Sequence, residues 1–88
     1  MDKHQNKITG AQLRAARAIL NLSAQELADI TRLSRGTIQR AELETAQITA
    51  SNTARIVETL EALGVIFIPA NGEGPGVRTK KQRPKKKL

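Results

Sequence analysis

The chain has 88 residues, 15 Lys and Arg against 8 Asp and Glu, a formal charge of +7, no Cys, one His and a single aromatic residue, Phe67. A chain this short makes one small domain that buries only about 60% of the surface its unfolded form exposes, so an enclosed enzyme pocket is not expected; without cysteine there is no disulfide frame and no thiolate metal site. No signal peptide or membrane span is legible, because the longest apolar run, Val65 to Ala70, is short and holds Pro69.

Residues 1–8 read as a flexible, polar N-terminus in which His4 is solvated. Thr9-Gly10-Ala11-Gln12 then has the form of a capping box, and Ile8, Leu13, Ala16, Ile19 and Leu20 recur at helical spacing, which predicts a first helix over roughly 10–20. Asn21-Leu22 breaks the pattern. Ser23-Ala24-Gln25-Glu26 is a second capping box and opens a short helix over about 24–31, with Leu27, Ala28 and Ile30 inward. Ser34 caps a third helix near 35–43, whose Ile38 and Ala41 face the core. Arg35, Gly36, Gln39 and Arg40 share a stripe on that helix which the core does not claim.

Glu44 to Thr49 reads as a loop, and Ser51 or Asn52 as the cap of a fourth helix with Ile56, Val57, Leu60 and Leu63 inward and Gly64 ending it in the left-handed conformation. The period then changes. Val65-Ile66-Phe67-Ile68 reads as a strand stopped by Pro69, residues 71–76 as a flexible turn, and Val77 to Thr79 as a short returning strand.

The second and third helices, joined by Thr31-Arg32-Leu33, form a helix-turn-helix pattern. Ala28 lets the two cross closely, and Leu27, Leu33, Ile38 and Ala41 lock their angle. The third helix then projects as a rigid probe suited to a DNA major groove about 12 Å wide, although a fragment of an ordinary helical bundle shares the spacing.

The stretch from Leu13-Arg14-Ala15-Ala16-Arg17, through Asn21-Leu22-Ser23-Ala24-Gln25-Glu26-Leu27-Ala28, to Leu33-Ser34-Arg35-Gly36-Thr37-Ile38-Gln39-Arg40-Ala41-Glu42 resembles the Cro and phage-repressor (XRE-like) helix-turn-helix family. The likeness continues through Leu60-Glu61-Ala62-Leu63-Gly64-Val65. It implies a mostly all-α, lambda-repressor-like domain of four to five helices over 9–64, binding double-stranded DNA without enzymatic activity, cofactor or metal, in the cytoplasm of a bacterium or phage host at the nucleoid. It also implies that the third helix, Ser34 to Leu43, is the recognition helix. Position by position, Arg35, Gly36, Gln39 and Arg40 fall where relatives meet base edges or adjacent phosphates, and Thr37 where they often meet the DNA backbone; Ser34 belongs to the same DNA-binding set. The side chains suit that role, since Arg can bind guanine O6 and N7 and Gln can bind adenine N6 and N7. Arg17 and Glu42 match positions that form an ion pair between the first and third helices in similar proteins.

Two positions depart from the family. The Gln that often opens the second helix is Ala24 here, leaving the neighbouring Gln25 as the substitute phosphate contact. The usual turn glycine is Arg32; a residue other than Gly with positive φ is uncommon, so a different turn geometry is expected, with Arg32 serving as a phosphate contact. Beyond Gly64 many relatives continue with a fifth helix where this chain offers a strand. Its residues Val65, Ile66, Phe67 and Ile68 are expected to form a dimerisation element over 65–79, pairing with the same strand of a second copy or with Val77 to Thr79 while packing across a two-fold axis. A two-fold dimer would read half-sites about 34 Å apart.

Residues 1–77 balance eight basic groups with eight acidic ones, so the whole charge excess lies in the seven basic residues of 78–88. Residues 80–88 read as a disordered basic tail. Arg78, Lys80, Lys81 and Arg83 are candidate contacts to the DNA backbone, an electrostatic arm, with a passive solubilising tail as the alternative. The expected function is that of a dimeric, sequence-specific transcriptional regulator, a repressor in the first instance. The alternatives are the DNA-binding antitoxin of a toxin pair, and a protein-interaction module that uses the 65–68 strand and basic tail against an acidic partner.

Overall fold

A computed structural model describes residues 8–45 and 47–80. The expectations for the N-terminus, His4, Lys81, Arg83 and the rest of the basic tail lie outside these residues. Among the described residues four helices are followed by a two-stranded antiparallel hairpin: α1 Gly10–Ile19, α2 Ala24–Thr31, α3 Arg35–Leu43, α4 Ala50–Ala62, β1 Val65–Ile68 and β2 Gly76–Thr79.

Hydroxyls start all four helices. Thr9 Oγ1 accepts from Gln12 N–H at 3.1 Å while Gln12 Oε1 accepts from Thr9 N–H at 2.9 Å, and Ser23 and Glu26 repeat the reciprocal arrangement at 3.0 and 2.8 Å. Ser34 caps α3 through Thr37 N–H. For α4 the cap is Thr49, accepting from Asn52 N–H at 3.1 Å, and not Ser51 or Asn52. Ala50 is a strong helix former, so the helix begins at the first available hydroxyl and draws the other two candidates into its opening turn.

The core is one cluster of Leu13, Ala16, Leu27, Ala28, Ile38, Ile56, Leu60 and Val65. Three residues expected inward are instead exposed: Ile19, Ile30 and Leu63. Ile19 is the last residue of α1, and Leu63 lies one residue past α4. On α2 the buried arc is set by Leu27, Ala28 and Thr31, and Ile30 is rotated about 100° from its centre.

The α2–α3 turn keeps the left-handed geometry, contrary to the expectation from Arg32. Arg32 has φ 64° and ψ 33°, and its amide returns to the Ala28 carbonyl, joined there by the amide of Leu33. A left-handed non-glycine costs about 1–2 kcal/mol. That cost is offset by these closing bonds and by Leu33 packing against the core, while Arg32 stays exposed.

In the hairpin Val65 pairs with Thr79, Ile66 with Arg78, Phe67 with Val77 and Ile68 with Gly76. Alternation sends Val65, Phe67 and Val77 onto the helical core and leaves Ile66, Ile68 and Arg78 on the other face. Val65 is buried within its own chain, and β1 already takes β2 as a strand partner; of the four residues assigned to dimerisation, only Ile66 and Ile68 face outward. Arg78 is a strand residue rather than part of a tail, and Lys80 N–H donates to the Gly64 carbonyl at 2.7 Å.

Gln12 joins hairpin to helix. Its side chain is buried, and while Oε1 serves the α1 cap, Nε2 donates to the carbonyls of Ile68 at 3.2 Å and Gly76 at 3.0 Å. One amide thus closes both the start of α1 and the loop end of the hairpin. A buried amide needs all these partners, and no buried side-chain nitrogen or oxygen among the described residues lacks one.

Candidate functional site

The site is built on α3, a helix about 13 Å long. Ile38 anchors its inner side in the core, and Ala41 packs beside it. Its far end is held by Glu42, which is only 5% exposed and takes a two-pronged bond from Arg17: Nε to Oε2 at 2.7 Å and Nη2 to Oε1 at 3.0 Å. The Arg17 and Glu42 expected to pair are therefore in contact. The hydrogen bond to Glu42 raises the Arg17 pKa above the ordinary arginine value, desolvation opposes it and the Glu42 charge adds to it, so the guanidinium remains charged across the working range of pH.

Three further bonds escape the sequence patterns, two of them to this end of α3. Arg17 Nη1 also donates to the Leu22 carbonyl at 3.0 Å, which fixes the α1–α2 connection to the same guanidinium. Arg14 Nη1 donates to the Glu42 carbonyl at 2.7 Å, and Gly10 N–H donates to Glu44 Oε2. Gly10 is buried so closely on α3 that a Cβ would collide with the Glu42 and Ala41 carbonyls. Arg14 and Arg17 lie three apart on one face of α1, a signal visible in the sequence, but their common target was not. At the other end of the pair, Arg55 of α4 donates to the Thr31 carbonyl at 3.3 Å and closes the end of α2.

The outer face carries the expected stripe. Arg35, Gln39 and Arg40 are exposed, Gly36 and Thr37 are half-buried, and Ser34 and Arg32 are exposed at the entrance to the helix. No carboxylate lies between Arg32 and Ala41 in the chain, and Glu42 and Glu44 are both engaged, so three guanidinium groups dominate this face. Ser34, Thr37 and Arg40 form a chain of side-chain contacts along it. Gln25 is exposed on the first turn of α2, and its Nε2 already donates to Asp29 Oδ1 at 2.9 Å. Arg78 and Lys80 are exposed on and after β2, an element apart from α3.

A cleft of about 740 Å³ opens between the start of α1, the end of α3 and the start of α4, and Glu44 is the one charged residue among the described residues that line it. Among the described residues no cluster of His, Cys, Asp or Glu is placed to hold a metal ion, and no helix is long and apolar enough to cross a membrane. No known protein family matches the chain, and no curated protein does.

Proposed function

We propose that this chain is a sequence-specific DNA-binding regulator, a helix-turn-helix protein of the Cro and phage-repressor kind, that sets α3 in the major groove and represses by occupying an operator. The observation that carries this reading is the outward stripe of Arg35, Gln39 and Arg40 on a helix whose inner side and far end are both fixed. Such a stripe contributes little to stability as solvated surface, whereas a groove supplies a partner for each tip: guanine O6 and N7 accept from Arg, while adenine N7 accepts from the Gln amide nitrogen and adenine N6–H donates to its oxygen. A helix held at its end by Glu42 delivers those tips in one register, which base discrimination requires. Arg32, exposed at the turn just before α3, is suited to an adjacent phosphate.

A nine-residue helix reads few base pairs, so a second copy is part of the proposal. The outward face of the hairpin, with Ile66, Ile68 and Arg78, is the surface offered to it.

Selection of bound duplexes from a random pool tests the reading. The expected result is a two-fold symmetric sequence with half-sites centred about 34 Å apart. Failure to enrich any sequence would overturn DNA reading by α3, and a single asymmetric site would overturn the dimer.

A further inference from the structure

The outer surface of α3 holds an arrangement that stripe geometry alone does not explain. Arg40 turns its guanidinium back toward the start of the helix, the direction long helical side chains favour. Its Nη2 donates to Thr37 Oγ1 at 3.3 Å, and its Nη1 lies over Gly36, 3.2 Å from where a Cβ on that residue would sit. Thr37 Oγ1 is itself 2.9 Å from Ser34 Oγ, the hydroxyl that caps the helix. The guanidinium is thus seated on a glycine and oriented by a threonine that the helix cap steadies. The side chains of Arg35 and Gln39 make no comparable hydrogen bond to another described residue.

We infer that Gly36 and Thr37 are positioning residues which fix Arg40 as a guanine-reading fork at the leading end of α3, so that each half-site contains one G·C pair set by this trio. The inference rests on the reading of α3 as the DNA probe and goes beyond it by naming the base and the residues that select it. Residues at the start of a recognition helix reach deepest into the groove, and Arg40 projects its charge there from one turn further on. Having no side chain, Gly36 leaves room for the guanidinium, and nothing bulkier than that group stands between this turn and a base pair. Thr37 takes one of the five guanidinium N–H groups, and the others remain for the two parallel bonds to O6 and N7. Holding the fork in place before binding reduces the rotamer freedom lost on contact, which strengthens discrimination rather than general attraction to the phosphates.

Duplex selection with the full chain and four variants tests this. In the unaltered protein one guanine per half-site is preferred by about 5- to 150-fold, and Arg40→Ala abolishes that preference. Thr37→Val keeps the shape but removes the acceptor, and is expected to weaken the preference at the same base pair by about 2- to 12-fold while leaving other positions unchanged. Thr37→Ser, which retains the acceptor, restores it. Gly36→Ala, which crowds Arg40 but favours the helix, weakens preference at that pair without lowering the melting temperature. The inference is overturned if Thr37→Val and Gly36→Ala keep the full preference, or if either lowers affinity evenly across all sequences, as loss of a phosphate contact would. Enrichment of no sequence by the unaltered chain would remove the DNA reading itself, whereas a clear operator unaltered in the variants would remove only the positioning role.

Discussion

A methyl group placed on Gly10 would overlap the carbonyl oxygen of Glu42, so the first turn of α1 rests directly on the backbone that ends α3. The obstacle is backbone, which cannot swing aside as a side-chain tip can. Gly10→Ala is therefore expected to cost about 1–3 kcal/mol through overpacking, even though Ala favours helices over Gly by up to about 1 kcal/mol. Thermal melting checks this. A melting temperature equal to or above that of the unaltered chain would show that α1 is not seated on α3.

Glu42→Ala should destabilise far more than Arg35→Ala. Removing one partner of a buried pair costs about 3–5 kcal/mol, and the lower end applies here because some of the released Arg17 charge can be met by water; its side chain is 24% exposed. Arg35 is exposed, and its loss is expected within about 0.5 kcal/mol. Stability drawn from the raised Arg17 pKa is fully present below the ordinary arginine value and is lost only above it. The gap between the two variants is therefore predicted to persist unchanged from pH 6 to pH 9, as chemical denaturation at both pH values would reveal.

Gln12→Leu preserves volume but strips the Ile68 and Gly76 carbonyls of their shared donor and Thr9 N–H of its acceptor. An unpaired buried group costs about 1–3 kcal/mol; these three are partly buried, where water meets some of the need, so a total loss of about 1–3 kcal/mol is expected. Amide hydrogen exchange separates this from general weakening: protection of Val77 and Phe67 should fall more than that of Ile38 and Leu60. Equal loss everywhere would contradict a local latch.

Removal of residues 81–88 should lower the salt dependence of DNA binding while preserving the preferred sequence. The logarithm of affinity changes with the logarithm of salt by about 0.9 per neutralised phosphate, so the slope is expected to shrink by one such step or more. The truncation must begin after Lys80, because Arg78 and Thr79 pair in β2 and Lys80 N–H closes on Gly64. An unchanged slope would leave the tail without a role at the phosphates.

Local chemistry made much of this fold legible. Ser23 and Ser34 mark the starts of α2 and α3 because a cap needs only the amide three residues on, and the Arg17–Glu42 pair was visible through resemblance. Long-range closure was not legible. Gln12 reads as a helix cap, and its second pair of bonds reaches residues 56 and 64 positions away. Arg32 violates a local preference that the crossing of α2 and α3 overrides, and Val65 reads as an exposed edge until α4 and α1 are folded against it. The orientation of Arg40 over Gly36 likewise depends on side-chain geometry that no spacing rule supplies.

The central claim is tested most directly by the triple variant Arg35→Ala, Gln39→Ala, Arg40→Ala, titrated against the selected duplex and against unrelated DNA of equal length. All three side chains lie outside the core, so its melting temperature should stay within a few degrees of the unaltered chain. Its affinity for the selected duplex should fall to the level of unrelated DNA, a loss of at least about 10³-fold. A folded triple variant that still distinguishes the selected duplex from unrelated DNA would show that α3 is not the reading element.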